Sequence, residues 1–225
     1  MFARLKQKYL RCFENKAFLI SFFTALLMLA AALIINVYAV AYANASSAVT
    51  DIILSNIHVY DVDGLFVNGA FGLVAFITIV CLLEPKRIPF TVKTISIFVI
   101  TRSIFIMMTH LGPFPNHIVI DPNTSYYLQD ILGKNLYASF FTGNDFFFSG
   151  HTGLPFLMSL LYWDKKWLRY TFMAASIGFG IIVLLAHLHY TIDVLSAFFI
   201  AYGVYRLARI FFARDLDAEQ IGQRV

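Results

Sequence analysis

The chain has 225 residues, of which 60% are hydrophobic and only 13% charged, whereas ordinary soluble domains contain about 25% charged residues. This composition argues against a water-soluble enzyme, and two cysteines, Cys12 and Cys81, are too few for a disulfide scaffold. The net charge of +4 does not indicate nucleic-acid binding, because the basic residues form short clusters between apolar runs.

Six apolar stretches are candidates for membrane spans, each of which requires roughly 20 mainly apolar residues. The first follows a basic N-terminus and is too long for the apolar region of a signal peptide, so we predict a retained span. The fourth is short and contains Pro155. Proline has no N–H group, so a neighbouring helix must satisfy the carbonyl group that this N–H would have bonded. The predicted spans are residues 17–43, 65–83, 90–111, 146–163, 169–188 and 190–212.

The basic residues predict the orientation of these spans. Almost all of the 17 Lys and Arg residues fall on one side of a six-span arrangement; Lys134 lies on the other side and Arg102 lies within the third span. Both termini are therefore expected to be cytoplasmic, and the chain is expected to form one all-α membrane domain over residues 1–225. The histidines fall in or beside the outer connections: His58, His110, His117, His151, His187 and His189.

The first concentrated motif is Asp-Phe-Phe-Phe-Ser-Gly-His-Thr at residues 145–152. Ser149 stands where a helix N-cap is expected, so Gly150 and the following residues would offer backbone N–H groups to an anion. His151 would then lie in the first helical turn beside a bound phosphate. The alternative is an ordinary capped span with a histidine at the membrane interface.

The second motif is Ala-His-Leu-His-Tyr-Thr-Ile-Asp-Val at residues 186–194. His189 and Asp193 are four residues apart, a spacing that places both on one face of a helix. A carboxylate bound to one imidazole nitrogen frees the other as a nucleophile or base. The alternative is a pair that only stabilises a helix start. His187 would point elsewhere, and a structural role is favoured for it.

Together the two motifs indicate phosphoryl transfer through a phosphohistidine, because one supplies an anion site with an acid and the other an oriented nucleophile. Arg102, within a span, is predicted to bind phosphate or an acidic partner, with a structural ion pair as the alternative. Asp145 is predicted to orient a histidine or to contact the ammonium of a lipid head group, with helix capping as the alternative.

These motifs resemble those of the sphingomyelin synthases. Residues 145–152 are similar to D-x3-S-G-H-T and residues 187–194 to H-x-H-Y-T-x-D-V, and residues 102–115 are similar to an Arg-led third-span motif with one extra residue. The resemblance covers roughly residues 65–206. It implies a six-span lipid enzyme of the wider lipid phosphate phosphatase (PAP2-type) superfamily.

The resemblance also implies roles for individual residues. His189 would attack the phosphorus of a phospholipid, Asp193 would orient it, and His151 would act as acid and then as base. Phosphocholine or phosphoethanolamine would pass from a glycerophospholipid to ceramide or a diacylglycerol-like alcohol, without metal or cofactor. The substrate-binding residues would be Arg102, Asp145, Ser149, Gly150 and Tyr190.

One departure from the superfamily bears on the substrate. Its phosphatases carry K-x6-R-P and S-R-x5-H-x3-D, but this chain has no Arg-Pro pair, and Val183 occupies the second arginine's position. The loss of these cations favours a phosphodiester over a phosphomonoester. Two rivals remain: a lipid phosphatase or phospholipase-C-like hydrolase that uses water, and a metal-binding transporter. We expect the site to face the periplasm of a bacterial inner membrane, or the lumenal side of a Golgi or plasma membrane.

Overall fold

The computed structural model describes residues 2–43, 48–109, 111–117 and 146–216. Within these ranges the chain forms α-helices and two short 3-10 turns, Leu54–Asn56 and Pro85–Arg87, without a strand, and the all-α prediction is confirmed. The α-helices in the described ranges are α1 (Phe2–Glu14), α2 (Lys16–Tyr42), α3 (Asp63–Leu83), α4 (Ile88–Thr109), α5 (Gly150–Leu161), α6 (Lys166–Leu185) and α7 (Thr191–Phe211).

Five of the helical segments in the described ranges are long and apolar enough to cross a membrane, which is consistent with an integral membrane protein. The fourth predicted span is not among them. It contains only α5, whose 12 residues extend over about 18 Å, short of a hydrocarbon layer about 30 Å thick. The five segments are Lys16–Tyr42, Asp63–Leu83, Pro85–Thr109, Lys166–Leu185 and Thr191–Phe211.

Local backbone chemistry explains where two of these helices begin. We predicted the fourth span from residue 146, but α5 starts at Gly150, because Phe147 has a φ of 80° that a helix cannot contain and Ser149 caps the first turn. At the N-terminus, the side chain of Asn15 accepts hydrogen bonds from the N–H groups of Ala17 and Phe18. This cap separates α2 from the basic helix α1.

Small residues let the helices approach one another closely. A stripe of alanines on α2, at Ala25, Ala32 and Ala39, is buried where α2 packs along α4. A Cβ atom at Gly153 of α5 would lie 2.8 Å from the ring of Phe98 on α4 and 3.5 Å from Cβ of Ala197 on α7. The short helix α5 is therefore held tightly between α4 and α7.

Ion pairs close the end of the bundle where α3 meets α4 and α5 meets α6. Arg87 binds both carboxylate oxygens of Asp164 at 2.8 and 2.7 Å, and Lys165 pairs with Glu84. Buried Lys93 donates to Asp215 at 2.8 Å. The two histidine motifs lie at the other end, where α4 ends and α5 and α7 begin.

Candidate active site

A backbone hydrogen bond joins the two histidine motifs. The N–H group of Ser149 donates to the carbonyl oxygen of Asp193 at 3.0 Å. The hydroxyl oxygen of Ser149 accepts from the N–H group of Thr152 at 3.3 Å and so caps α5. The first turns of α5 and α7 therefore lie side by side.

His189 and Asp193 form a buried pair. Nδ1 of His189 lies 3.3 Å from Oδ2 of Asp193, and the two residues are only 3% and 0% exposed. An ionised carboxylate can only accept, so Nδ1 carries the proton and Nε2 is left with its lone pair. Among the described residues, Oδ1 of Asp193 has no hydrogen-bond partner.

The geometry of this pair differs from the shared helix face that the spacing suggested. His189 precedes α7, Tyr190 is the N-cap, and Asp193 lies in the first turn. The same Oδ2 atom that binds His189 also accepts from the N–H group of Tyr190 at 3.1 Å. The helix start thus fixes the carboxylate, and the carboxylate fixes the imidazole.

His151 lies in the first turn of α5 between two aromatic rings. Its ring centroid is 4.6 Å from that of Phe66 on α3 and 6.1 Å from that of Phe179 on α6. The residue is half-buried. These contacts restrict the orientation of the imidazole. The ring lies at the N-terminus of α5, which is the positive end of the helix dipole.

Arg102 lies against the N-terminus of α5. It is 5% exposed, and its Nε donates to the carbonyl oxygen of Phe148 at 3.3 Å. A Cβ atom at position 150 would lie only 3.0 Å from this Nε, so a side chain there would push the guanidinium group away by a few tenths of an ångström. A guanidinium group and a helix N-terminus therefore converge beside His151, an arrangement suited to a phosphate group.

The hydroxyl group of Tyr190 is hydrogen-bonded within the protein. Its hydroxyl group donates to the carbonyl oxygen of Gly112 at 2.8 Å and accepts from the N–H group of Val49 at 3.2 Å. The side chain is 1% exposed and packs against Phe114 and Phe146. Tyr190 thus ties the segments around Val49 and Gly112 to the start of α7.

Asp51 is a residue of this region that the sequence did not single out. Its carboxylate accepts from the N–H and hydroxyl groups of Thr191 at 2.7 and 2.9 Å, and from the N–H groups of Ile53 and Leu54. Burial raises the pKa of Asp51, but these hydrogen bonds outweigh burial and hold the pKa below its usual value. Asp51 thus fixes the first residue of α7.

The remaining predicted residues are placed as follows. Asp145 and His110 lie outside the described residues. His187 is buried before α7 with a φ of 54°. Across the described ranges, no three His, Cys, Asp or Glu side chains are grouped as they would be around a metal ion.

Residues 142–210 match the family model described as PAP2 superfamily C-terminal. The match supports the PAP2-type superfamily. It spans α5, α6 and nearly all of α7, the part of the chain that carries His151, His189 and Asp193. No curated protein and no solved structure gives a significant match to this chain. PAP2-type similarity suggests lipid chemistry of the phosphatase or phosphotransferase type.

Proposed function

We propose that the protein is a membrane lipid phosphotransferase that moves phosphocholine or phosphoethanolamine from a glycerophospholipid to ceramide or a related lipid alcohol. The observation that carries this proposal is the buried His189–Asp193 pair, bonded through the backbone to the capped helix that presents His151. The PAP2-type match over the same residues supports a reaction at phosphorus.

In the first step, Nε2 of His189 attacks the phosphorus and forms a P–N bond. The P–O bond to diacylglycerol breaks, and protonated His151 gives its proton to the departing oxygen. Asp193 stabilises the positive charge that develops on the imidazole of His189, to which it is bonded.

In the second step, the neutral His151 accepts the proton of the acceptor hydroxyl as the hydroxyl oxygen attacks phosphorus. The P–N bond breaks, which returns His189 to its starting state with the proton on Nδ1. A lipid alcohol as acceptor gives head-group transfer, and water gives hydrolysis through the same two steps. Transfer and hydrolysis therefore differ only in which hydroxyl group reaches the phosphorus.

The charges around the site favour a phosphodiester donor. Arg102 and the N-terminus of α5 would neutralise the single negative charge of a diester. Val183, at the position where the superfamily's phosphatases carry an arginine, is 0% exposed and packs in the apolar core. It leaves the described site without the second guanidinium that a doubly charged monoester would favour.

The proposed arrangement in the membrane has six spans, with α5 and the residues before it completing the fourth. Both termini would be cytoplasmic and the catalytic residues extracytoplasmic, in a bacterial inner membrane or on a lumenal surface. Lys86, Arg87, Lys165 and Lys166 in the connections at the opposite end support this orientation through the preference of basic residues for the cytoplasm.

The test is an assay in liposomes with fluorescent ceramide and either phosphatidylcholine or phosphatidylethanolamine. A new head-group-bearing sphingolipid, absent with His189→Ala and retained with His117→Ala, would support the transferase. Diacylglycerol with free phosphocholine or phosphoethanolamine would instead identify a hydrolase, and inorganic phosphate from phosphatidic acid would identify a phosphatase. An active His189→Ala would overturn the phosphohistidine.

A further inference from the structure

A cavity of about 530 Å³ lies where the segments around residues 54–59 and 114–116 meet His187. None of the described residues that line it is Asp, Glu, Lys or Arg. Its polar side chains are those of Ser55, His58, Asn116 and His187, and its apolar ones include Phe114. The lining suits an uncharged ligand with both polar and apolar parts.

Both the side chain and the backbone of His187 are in energetically unfavourable states in this lining. It is 3% exposed, and neither ring nitrogen has a hydrogen-bond partner among the described residues. Its φ of 54° is in the left-handed region, which Gly and Asn adopt more readily than other residues. A buried polar ring on a strained backbone is typical of a functional position.

The protonation state of His187 indicates what the ring can bind. Burial lowers its pKa, and the carbonyl groups of Ile57 and Pro115 offset only part of that effect, without forming hydrogen bonds to it. The ring is therefore neutral at pH 7, with one nitrogen that donates and one that accepts. Such a pair matches a hydroxyl or amide group better than it matches an anion.

The cavity lies beside the segment that carries His189. The ring centroid of Phe114 lies 5.2 Å from that of His187 and 5.9 Å from that of Tyr190, and His187 is two residues before His189. Arg102 and the start of α5 supply positive charge for a phosphate, whereas this cavity supplies neutral polar groups. The region around Arg102 therefore suits a lipid phosphate, whereas the cavity suits an uncharged polar lipid head.

The geometry points to this cavity as the binding site for the uncharged polar head of the acceptor lipid alcohol, with His187 hydrogen-bonded to its hydroxyl or amide group. This assignment rests on the proposed transferase reaction. A ceramide-type head, which carries both hydroxyl and amide groups, has the donors and acceptors that the neutral ring requires. The phospholipid donor, which carries a phosphate, would not compete for the cavity.

Binding can be tested without turnover in the His189→Ala protein, with a photoreactive ceramide in liposomes. We expect labelling of peptides that contain residues 54–59 or 114–116, and a roughly tenfold loss of labelling when His187→Asn is added. Photoreactive phosphatidylcholine should label both proteins equally. Equal loss for both lipids, or no loss for ceramide, would overturn the assignment.

The backbone at His187 allows a control for folding. Asn and Gly suit a positive φ better than His does, so in His187→Asn and His187→Gly the relief of backbone strain should offset part of the loss of the buried ring's contacts, and both variants should remain folded. A merely structural His187 predicts full ceramide labelling in both variants. A binding role predicts that both lose it although both remain folded.

The catalytically competent protein provides an independent readout. His187→Asn should raise the KM for ceramide about tenfold and leave unchanged the KM for phospholipid. His117→Asn is the matched control, because His117 lies in the same outer segment but outside the cavity and binds the carbonyl of Phe114 at 3.0 Å. An equal change in both KM values would contradict the assignment.

The two proposals can fail separately. Ceramide that labels the cavity of a protein without transfer activity would refute the transferase and leave the binding site standing. Transfer activity without ceramide labelling of the cavity would refute the binding site and leave the transferase standing.

Discussion

At the end of the bundle where α3 meets α4, buried charges meet opposite charges, whereas at the end that carries His151 and His189 some buried polar atoms have no hydrogen-bond partner among the described residues. Lys93 lies between Ser21 and Asp215, with distances of 2.7 and 2.8 Å. At the other end, Oδ1 of Asp193 and both ring nitrogens of His187 form no hydrogen bond with any described residue. Unused hydrogen-bonding capacity is typical of a site that a ligand completes, so substitutions at the two ends should affect different properties.

The largest effect is expected for Asp193→Asn. The amide can donate to Nδ1 of His189, which would move the proton to Nε2 and remove the nucleophilic lone pair. We expect kcat for head-group transfer to fall about 10³-fold, or about 4 kcal/mol, with little change in thermal midpoint. Measurement of kcat in the liposome assay tests this, and a fall of less than about tenfold would contradict the role of Asp193.

Lys93→Met should lower the stability of the protein and leave its kcat unchanged. It leaves Asp215 half-buried without its cation, and we expect a loss of about 3 kcal/mol in the free energy of unfolding. The kcat of the folded fraction should not change. Denaturation in detergent tests this, with Lys93→Met/Asp215→Leu as the control that should recover most of the loss. A lower kcat in the folded fraction would show that the two ends are coupled.

Arg102→Lys tests whether the guanidinium group of Arg102 binds the phosphate of the donor lipid. Lysine keeps the positive charge but loses the planar fork beside Gly150. We expect kcat/KM for the phospholipid donor to fall about 30-fold, or about 2 kcal/mol. Arg169→Lys is the matched control, because Arg169 stacks on Trp163 and Tyr170 away from the site. Equal kcat/KM values for the two variants would refute phosphate binding by Arg102.

Features that depend on local sequence could be predicted. Long apolar runs predict membrane helices, and Ser149 caps α5 as its residue type suggests. The spacing of His189 and Asp193 predicted their contact, although a helix cap rather than a helix face produces it. The predicted fourth span begins at residue 146, four residues before α5, because no residue pattern revealed the positive φ of Phe147; the expected N-cap at Ser149 gives the observed start of the helix.

Contacts between distant segments could not be predicted. Asp51 binds Thr191 across 140 residues, and an acidic residue in a polar loop gives no indication of such a partner. The position of Arg102 beside Gly150 depends on how α4 packs against α5, which apolar runs do not specify. The separate helix α1 was missed because the cap at Asn15 interrupts a segment that reads as a continuous basic and apolar N-terminus.

The smallest effect is expected for Asp51→Asn. This substitution keeps an acceptor oxygen but removes the charge that strengthens the bonds to Thr191, so we expect a loss of about 1 kcal/mol in the free energy of unfolding at pH 7. The pKa of Asp51 is lowered in the folded protein, so its carboxylate stabilises the fold above the unfolded pKa of about 3.9. That contribution is lost as the pH falls through the folded pKa.

The difference between wild type and Asp51→Asn should therefore be full at pH 7 and should shrink as the pH falls below about 4. Thermal midpoints measured from pH 7 to pH 3 test this. Asp61→Asn is the control, because the bond that the exposed Asp61 accepts from a described residue comes from the nearby N–H group of Asp63, and its loss should change the midpoint less. Because Asp51 holds the first residue of α7, a fall in kcat at pH 7 without a change in midpoint would mean that it acts on the orientation of His189 rather than on the stability of the fold.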